Sequence, residues 1–202
     1  MKLENVTQKF EKLYSQVSMT KFLEKKGLSG EIPFFICAYN PVQETEVTKE
    51  IQRLHSRLKQ EGINALNVNL YDLMIRLLEK RNLLQKVMQT EVTMDKSKLF
   101  NSLQNVLDPE RHLIPEIELM IQEDADQNGL PSQMVMISGV GAVFPYIRSH
   151  TILNNLQNAI KDRPMLLFFP GIYDGHQLNL FGKMKDDNYY RAFNIEHYNS
   201  EE

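Results

Sequence analysis

Apolar residues near the start of the chain recur at Leu3, Val6, Phe10, Leu13 and Val17, in alternating steps of three and four, a period that predicts an amphipathic helix. Gly27 and Gly30 interrupt that pattern. EIPFFICA (31–38) follows, an aromatic and branched run that predicts a strand buried on both faces. Tyr39, Asn40 and Pro41 turn the chain into a second helical period at Val47, Ile51, Leu54 and Leu58, closed by Gly62, and INALNVNL (63–70) supplies a second strand. Strand, helix and strand in this order predict a right-handed parallel crossover, hence an α/β fold with helices on both faces of a central sheet.

From Tyr71 to about Gln127 the pattern is helical throughout, marked by Leu73, Leu77 and Leu78, Leu84 and Val87, Phe100, Leu103 and Val106, and Ile114, Ile117 and Ile121. Asp95 is placed to cap one of these helices. Pro109 and Pro115 suit first-turn positions, and Asn128 with Gly129 forms a stop. The alternation then resumes: QMVMIS as strand three, a GVGA turn, a helix from about Phe144 to Ile160 with Pro145 in its first turn, and PMLLFF as strand four. Asp174-Gly175 is expected to close a tight turn, and DDNYYRAFNI to give a last strand at a sheet edge. The expected organisation is one three-layer α/β domain over 1–202, with a mainly parallel sheet of about four to five strands. It has an N-terminal helical segment (1–26), a helical insertion between strands two and three (about 71–128) and a disordered tail (about 196–202).

Composition narrows the chemistry. With 202 residues, 42% hydrophobic and 24% charged, the chain has the make-up of a globular domain, and a net charge of −3 argues against bulk attraction to phosphate backbones. The lone Cys37 excludes an intramolecular disulfide framework. Charges at Glu4, Lys9, Glu11 and Lys12 break any signal-peptide core, and the apolar runs are too short to cross a bilayer, so a cytoplasmic address without membrane contact is expected.

In parallel α/β sheets ligands gather beyond the carboxyl ends of the strands. That rule selects Tyr39 and Asn40, Asn69 and Asp72, Ser138, Gly139 and Gly141, and Tyr173, Asp174 and His176. Gly139 and Gly141 before a helix are candidates for cradling an anion, helped by Asn40 or Asp72, although the lysine of a P-loop and the third glycine of a dinucleotide fingerprint are missing. Arg148, His150, Asn154 and Asn155 form a polar set on the next helix, with Asn154 expected on the His150 face. Tyr189, Tyr190 and Arg191 have the chemistry of a protein-contact patch. The five histidines are scattered without metal-ligand spacing, and Cys37 lies in an apolar strand where its thiol should be buried with a raised pKa. No catalytic residue, metal or cofactor is assigned. Direct DNA binding would have to use Lys183, Lys185 and Arg191, which Asp186 and Asp187 offset.

Several long stretches resemble one family. GEIPFFICAYNP, NVNLYDLMIRLLEKR, GVGAVFPYIRSHTILNNLQ and LLFFPGIYDGHQLNLFGKMKDDNYYRAFNI are similar to BrxB, the small B component of bacteriophage exclusion (BREX) defence systems. The resemblance runs from about Phe22 to Ile195, is densest after Ser138, and is one of kind alone between about Thr90 and Pro131. It implies membership in a bacterial system that methylates host DNA and blocks phage propagation, alongside a methyltransferase, a large ATPase and a protein with an alkaline-phosphatase-like domain. The family has no assigned catalytic residue and is associated with the phosphatase-like component. An adaptor role is therefore implied, with a nucleotide-sensing domain built on the Gly139–Gly141 loop and a DNA-binding accessory protein as the alternatives.

Overall fold

The computed structural model describes residues 2–25, 33–147, 149–185 and 192–198, without the side chains of Ser149, His150 and Asn158. Its helices are α1 (Val6–Val17), α2 (Thr20–Leu23), α3 (Glu44–Gln60), α4 (Leu70–Lys80), α5 (Leu84–Thr90), α6 (Lys96–Val106), α7 (Ile114–Asn128), α8 (Val140–Val143) and α9 (Ser149–Ala159). Its strands are β1 (Phe34–Tyr39), β2 (Ala65–Asn69), β3 (Met134–Ser138), β4 (Met165–Tyr173), β5 (Leu178–Leu180), β6 (Met184–Lys185) and β7 (Phe193–Asn194).

The sheet runs in the order β2-β3-β4-β1-β7, parallel throughout, with β5 antiparallel to the outer end of β4 and β6 antiparallel to β5. β1 and β2 are parallel, as the crossover requires, but β3 and β4 stand between them. β4 pairs with β1 from Met165 opposite Phe34 to Pro170 opposite Tyr39.

Strand periodicity divides the core in two. Phe34 and Ile36, Val135 and Ile137, and Leu167 and Phe169 face the layer made from α4 through α9. Phe35 and Cys37, Met134 and Met136, and Leu166 and Phe168 face α1, α2 and α3. Because both faces are covered, the strands read as unbroken apolar runs.

The helix signals behave as expected. Asn5 Oδ1 accepts from Gln8 N–H at 2.9 Å to start α1, Asp95 Oδ1 accepts from Ser97 and Lys98 to start α6, and Gly129 takes the left-handed conformation (φ +69°) that ends α7. Pro109 opens a single π turn (Pro109–Leu113) that runs directly into α7.

Three expectations change. GVGA is not just a turn, since Val140–Val143 is itself a helical turn that buries Val140 and Val143. The next helix begins at Ser149, not Phe144, and Pro145 lies in the connection; the residue before a proline is pushed toward extended backbone, and Phe144 sits there (φ −70°, ψ 136°). The chain also stays ordered beyond Ile195. Residues Ile195–His197 form a 3₁₀ turn, and the Tyr198 ring meets Phe22 and Phe35 at 5.8 and 5.2 Å. Residues 199–202 lie outside the described residues.

The helical insertion is tied down by charge. Nearly buried Glu116 on α7 accepts from Arg76 (2.5 Å) and Lys80 (2.6 Å) on α4, and Arg76 also reaches Glu123 at 2.7 Å. Burial works against the carboxylate, but hydrogen bonds from Lys80 and Arg76 outweigh it and hold Glu116 below the ordinary glutamate range. A depressed folded-state pKa contributes stability above the unfolded value, and that contribution disappears as pH falls through the folded value. Unfolding midpoints in urea should therefore drop between about pH 5 and pH 3 more steeply for the wild type than for Glu116→Gln. Parallel profiles would remove Glu116 as the source.

Candidate functional site

At the carboxyl rim of the sheet, the loops converge on one another. Gly139 is left-handed (φ +80°), and a Cβ built there would lie 2.7 Å from Asn69 Oδ1. That oxygen is already engaged, accepting from Tyr71 N–H at 2.9 Å and Asp72 N–H at 3.4 Å to cap α4. At Gly141 a Cβ would sit 2.9 Å from the Phe181 ring and 3.2 Å from Pro170. Both glycines thus permit close packing: one seats the loop on the α4 cap, the other admits the ring of Phe181, which stands edge-on to Phe144. α8 is four residues long and leads into the Phe144 turn.

The remaining rim candidates have definite local roles. Asn40 is buried, and its Oδ1 accepts from Val42 N–H at 3.2 Å, capping a 3₁₀ turn at Pro41–Gln43. Asp72 is exposed in the first turn of α4, where a negative charge suits the helix dipole. Tyr173 is buried, and its hydroxyl donates to the carbonyls of Ala192 (2.7 Å) and Gly175 (3.0 Å), fastening the β4–β5 hairpin to the segment entering β7. Asp174 Oδ1 accepts from Gln177 N–H (2.7 Å) and His176 N–H (2.9 Å), the Asx turn its Asp-Gly pair predicts. These backbone donors hold its pKa below the usual aspartate range.

On α9, Asn154 is exposed, whereas half-buried Asn155 donates to Thr151 O of its own helix at 2.8 Å. The His150 side chain, and all of Arg148, Tyr189, Tyr190 and Arg191, lie outside the described residues. Of the basic pair on the DNA-binding alternative, Lys185 is exposed on β6 and Lys183 precedes it in the turn.

A second polar centre was not foreseen. Lys9 on α1 is largely covered, and its ammonium donates to Ala38 O (2.6 Å), Glu4 (2.7 Å) and Glu196. Burial acts to lower the Lys9 pKa, but Cys37, Glu196 and Glu4 together more than offset it. Cys37 lies fully buried beside this group, and desolvation pushes its thiol up to about 12 despite the nearby ammonium. These residues line a cleft of about 560 Å³ between α1 and the Ile195–His197 turn. Its signal in the sequence was slight: Lys9 sits beside the buried stripe of α1, and nothing near Glu196 marks its partner. Among the described residues no cluster of His, Cys, Asp or Glu has the form of a metal site, and no helix is long and apolar enough to cross a membrane.

The architecture is thus a mainly parallel α/β sheet with helices on both faces and a rim whose polar groups cap and fasten neighbouring elements. The family model described as "BREX protein BrxB" matches residues 66–195. A BREX protein BrxB of Bacillus cereus (strain H3081.97) is 37% identical over 194 residues, covering 96% of this chain and 98% of the relative. One of Escherichia coli O9:H4 (strain HS) is 27% identical over 186 residues, covering 91% and 88%. The chain belongs to the BrxB family. No solved structure matches it.

Proposed function

We propose that this chain is a non-catalytic adaptor of a BREX-type anti-phage system, acting in the cytoplasm through protein contacts with the alkaline-phosphatase-like component and other proteins of that system. One observation carries the reading beyond family membership: the rim groups where an α/β enzyme would hold its ligand are engaged in capping α4, closing the β4–β5 turn and seating Phe181. The helical insertion offers apolar surface instead. Val92 is 89% exposed and Met88, four residues earlier at the end of α5, is exposed as well, side chains whose solvent exposure a partner would relieve.

Co-purification from cells expressing the whole defence operon tests this directly. The chain should elute with a second system protein, and Met88→Asp with Val92→Asp should weaken that association without lowering thermal stability. A chain that elutes alone, in cells where its deletion leaves defence intact, would overturn the adaptor reading. Stabilisation by about 2.7 kcal/mol at one hundred times the dissociation constant of ATP or GTP would favour the nucleotide-sensing reading instead.

A further inference from the structure

The outward face of α3 gathers cations and amides without acids. A shallow groove of about 460 Å³ runs along it, lined by Lys49, Gln52, Arg53, Ser56, Arg57 and Gln60, and no carboxylate enters that lining. The helical period puts this stripe on the side opposite the buried Val47, Ile51, Leu54 and Leu58. Lys49 and Lys59 are exposed and take part in no salt bridge among the described residues. Arg53 is 72% exposed and gives one guanidinium nitrogen to nearly buried Glu50, so its other donors still face water. Arg57, by contrast, is committed to Glu11 and to the Tyr14 ring. Glu44 and Glu46 precede the stripe in the first turn, where they suit the helix dipole, and Glu61 follows it.

Charge is also divided between the two faces of the sheet. Helices α1, α2 and α3 carry seven lysines and arginines against four acids, whereas α4 through α9 carry five against seven. A net charge of −3 thus conceals one basic layer and one acidic layer, and an anionic polymer is steered to the basic one. Sequence order points to Lys183 and Lys185 as a basic cluster; the fold builds another from residues spaced along α3.

We propose that the outer face of α3 binds the phosphate backbone of double-stranded DNA through Lys49, Arg53 and Lys59, without reading its sequence. Chemistry selects the polymer. Gln52, Ser56 and Gln60 interleave the cations, and Lys, Arg, Ser and Gln are the side chains that meet phosphate oxygens. No large apolar side chain is exposed on α3, whereas a protein interface is built around an apolar centre from which lysine and serine are depleted. A single strand would need open aromatic faces for its bases, and Tyr14, the ring beside the groove, is covered by the Arg57 guanidinium at 3.5 Å. Dimensions favour duplex DNA over duplex RNA. The B-form major groove, roughly 12 Å wide, leaves room for a helix of about 10–12 Å, while the A-form groove is too deep and narrow for side chains to read. Arg53 and Lys59 stand roughly 120° apart around the helix, on opposite flanks of the stripe, and so reach the two walls of that groove. This surface goes beyond the adaptor reading and does not rest on it, since Met88 and Val92 belong to the opposite layer.

Fluorescence anisotropy of the full chain with a labelled DNA duplex of arbitrary sequence tests the proposal. Three phosphate contacts give an expected slope of about −2.7 for log K against log[salt], with affinity in the non-specific range of about 10⁻⁴–10⁻⁶ M at physiological salt. Lys49→Ala with Lys59→Ala removes two of the three and should flatten the slope by about 2 while weakening binding at low salt. Both positions are exposed and alanine favours helix, so circular dichroism should match the wild type. Arg53→Gln, which keeps a polar side chain, should alone flatten the slope by about 1. Lys183→Ala with Lys185→Ala should change neither slope nor affinity. Absence of binding at low salt would overturn the proposal. So would binding that survives the loss of Lys49 and Lys59, binding lost through Lys183 and Lys185 instead, or equal affinity for single-stranded DNA, duplex RNA or polyglutamate. Co-purification with other defence proteins reads a separate property, so the two proposals can fail independently.

Discussion

Truncating Phe168 to alanine is expected to destabilise the protein by about 3–5 kcal/mol, the largest loss from a single side chain. Phe168 is fully buried on β4, the middle strand of the parallel sheet, and its ring stacks on Phe10 of α1 at 5.7 Å with an interplanar angle of 7°. The ring therefore joins the first helix to the centre of the sheet. Its removal leaves a cavity that β4, pinned between β3 and β1, cannot collapse to fill. Against a typical total of about 5–15 kcal/mol, the variant should stay folded with little reserve, and its Tm should fall by roughly 6–20 °C. Phe168→Leu, which keeps most of the volume, should lose markedly less. Urea unfolding with matched m-values is the measurement, and a loss under about 1 kcal/mol for alanine would contradict the packing of α1 on β4.

Gly171→Ala should be nearly as damaging for a different reason. A Cβ at this position would stand 2.2 Å from the Asn179 carbonyl oxygen and 2.8 Å from the Phe169 ring. The obstacle is backbone of the paired strand, since Gly171 sits opposite Leu180 in the β4–β5 ladder. Neither strand can retreat without giving up pairing, so the cost should exceed the about 1–3 kcal/mol of ordinary overpacking. The alternative is local: β5 and β6 detach, exposing the segment around Asp174 and Gly175 to protease. Either a large drop in stability or rapid cleavage there supports the described contact, and a variant unchanged in both would refute it. Gly175→Ala makes a useful contrast, because nothing lies within 4 Å of its Cβ and the loss comes solely from its positive φ of +94°, about 1–3 kcal/mol.

The element order was readable because local signals dominated it. The three-and-four spacing of Val47, Ile51, Leu54 and Leu58 gave α3 its buried face, and runs such as MVMIS and MLLFF became strands covered on both sides. What escaped was set by partners distant in sequence. β4 continues through Pro170 to Tyr173 because β5 returns to pair with it, and nothing within PMLLFF announces that extension. The α9 boundary moved because the conformational preference of Phe144 before Pro145 outweighed the apolar period around it. The rim residues were picked by a rule about sheet geometry, and the sequence shows neither that Asn69 would be engaged in capping α4 nor that Phe181 would fill the space beside Gly141. Lys9 was passed over because a lysine beside an amphipathic stripe normally reaches water; Glu196 and the Ala38 carbonyl hold it inward instead.

The junction of α1 with the Ile195–Tyr198 segment also bears on folding order. Gln16 donates to Ile195 O at 2.9 Å and to Tyr198 O at 2.8 Å, across 179 and 182 residues. β1 likewise has as its sheet neighbours β4 and β7, both made long after it. During synthesis α1 and β1 emerge first, yet their apolar faces have no sheet to meet until nearly the whole chain has been released. The α4–α7 insertion, rich in contacts between near neighbours, can gather early, while closure of the first strand waits for the last. Such non-local closure slows folding and prolongs exposure of Phe34, Phe35 and Ile36, making the nascent first strand the segment with the longest need for protection from aggregation.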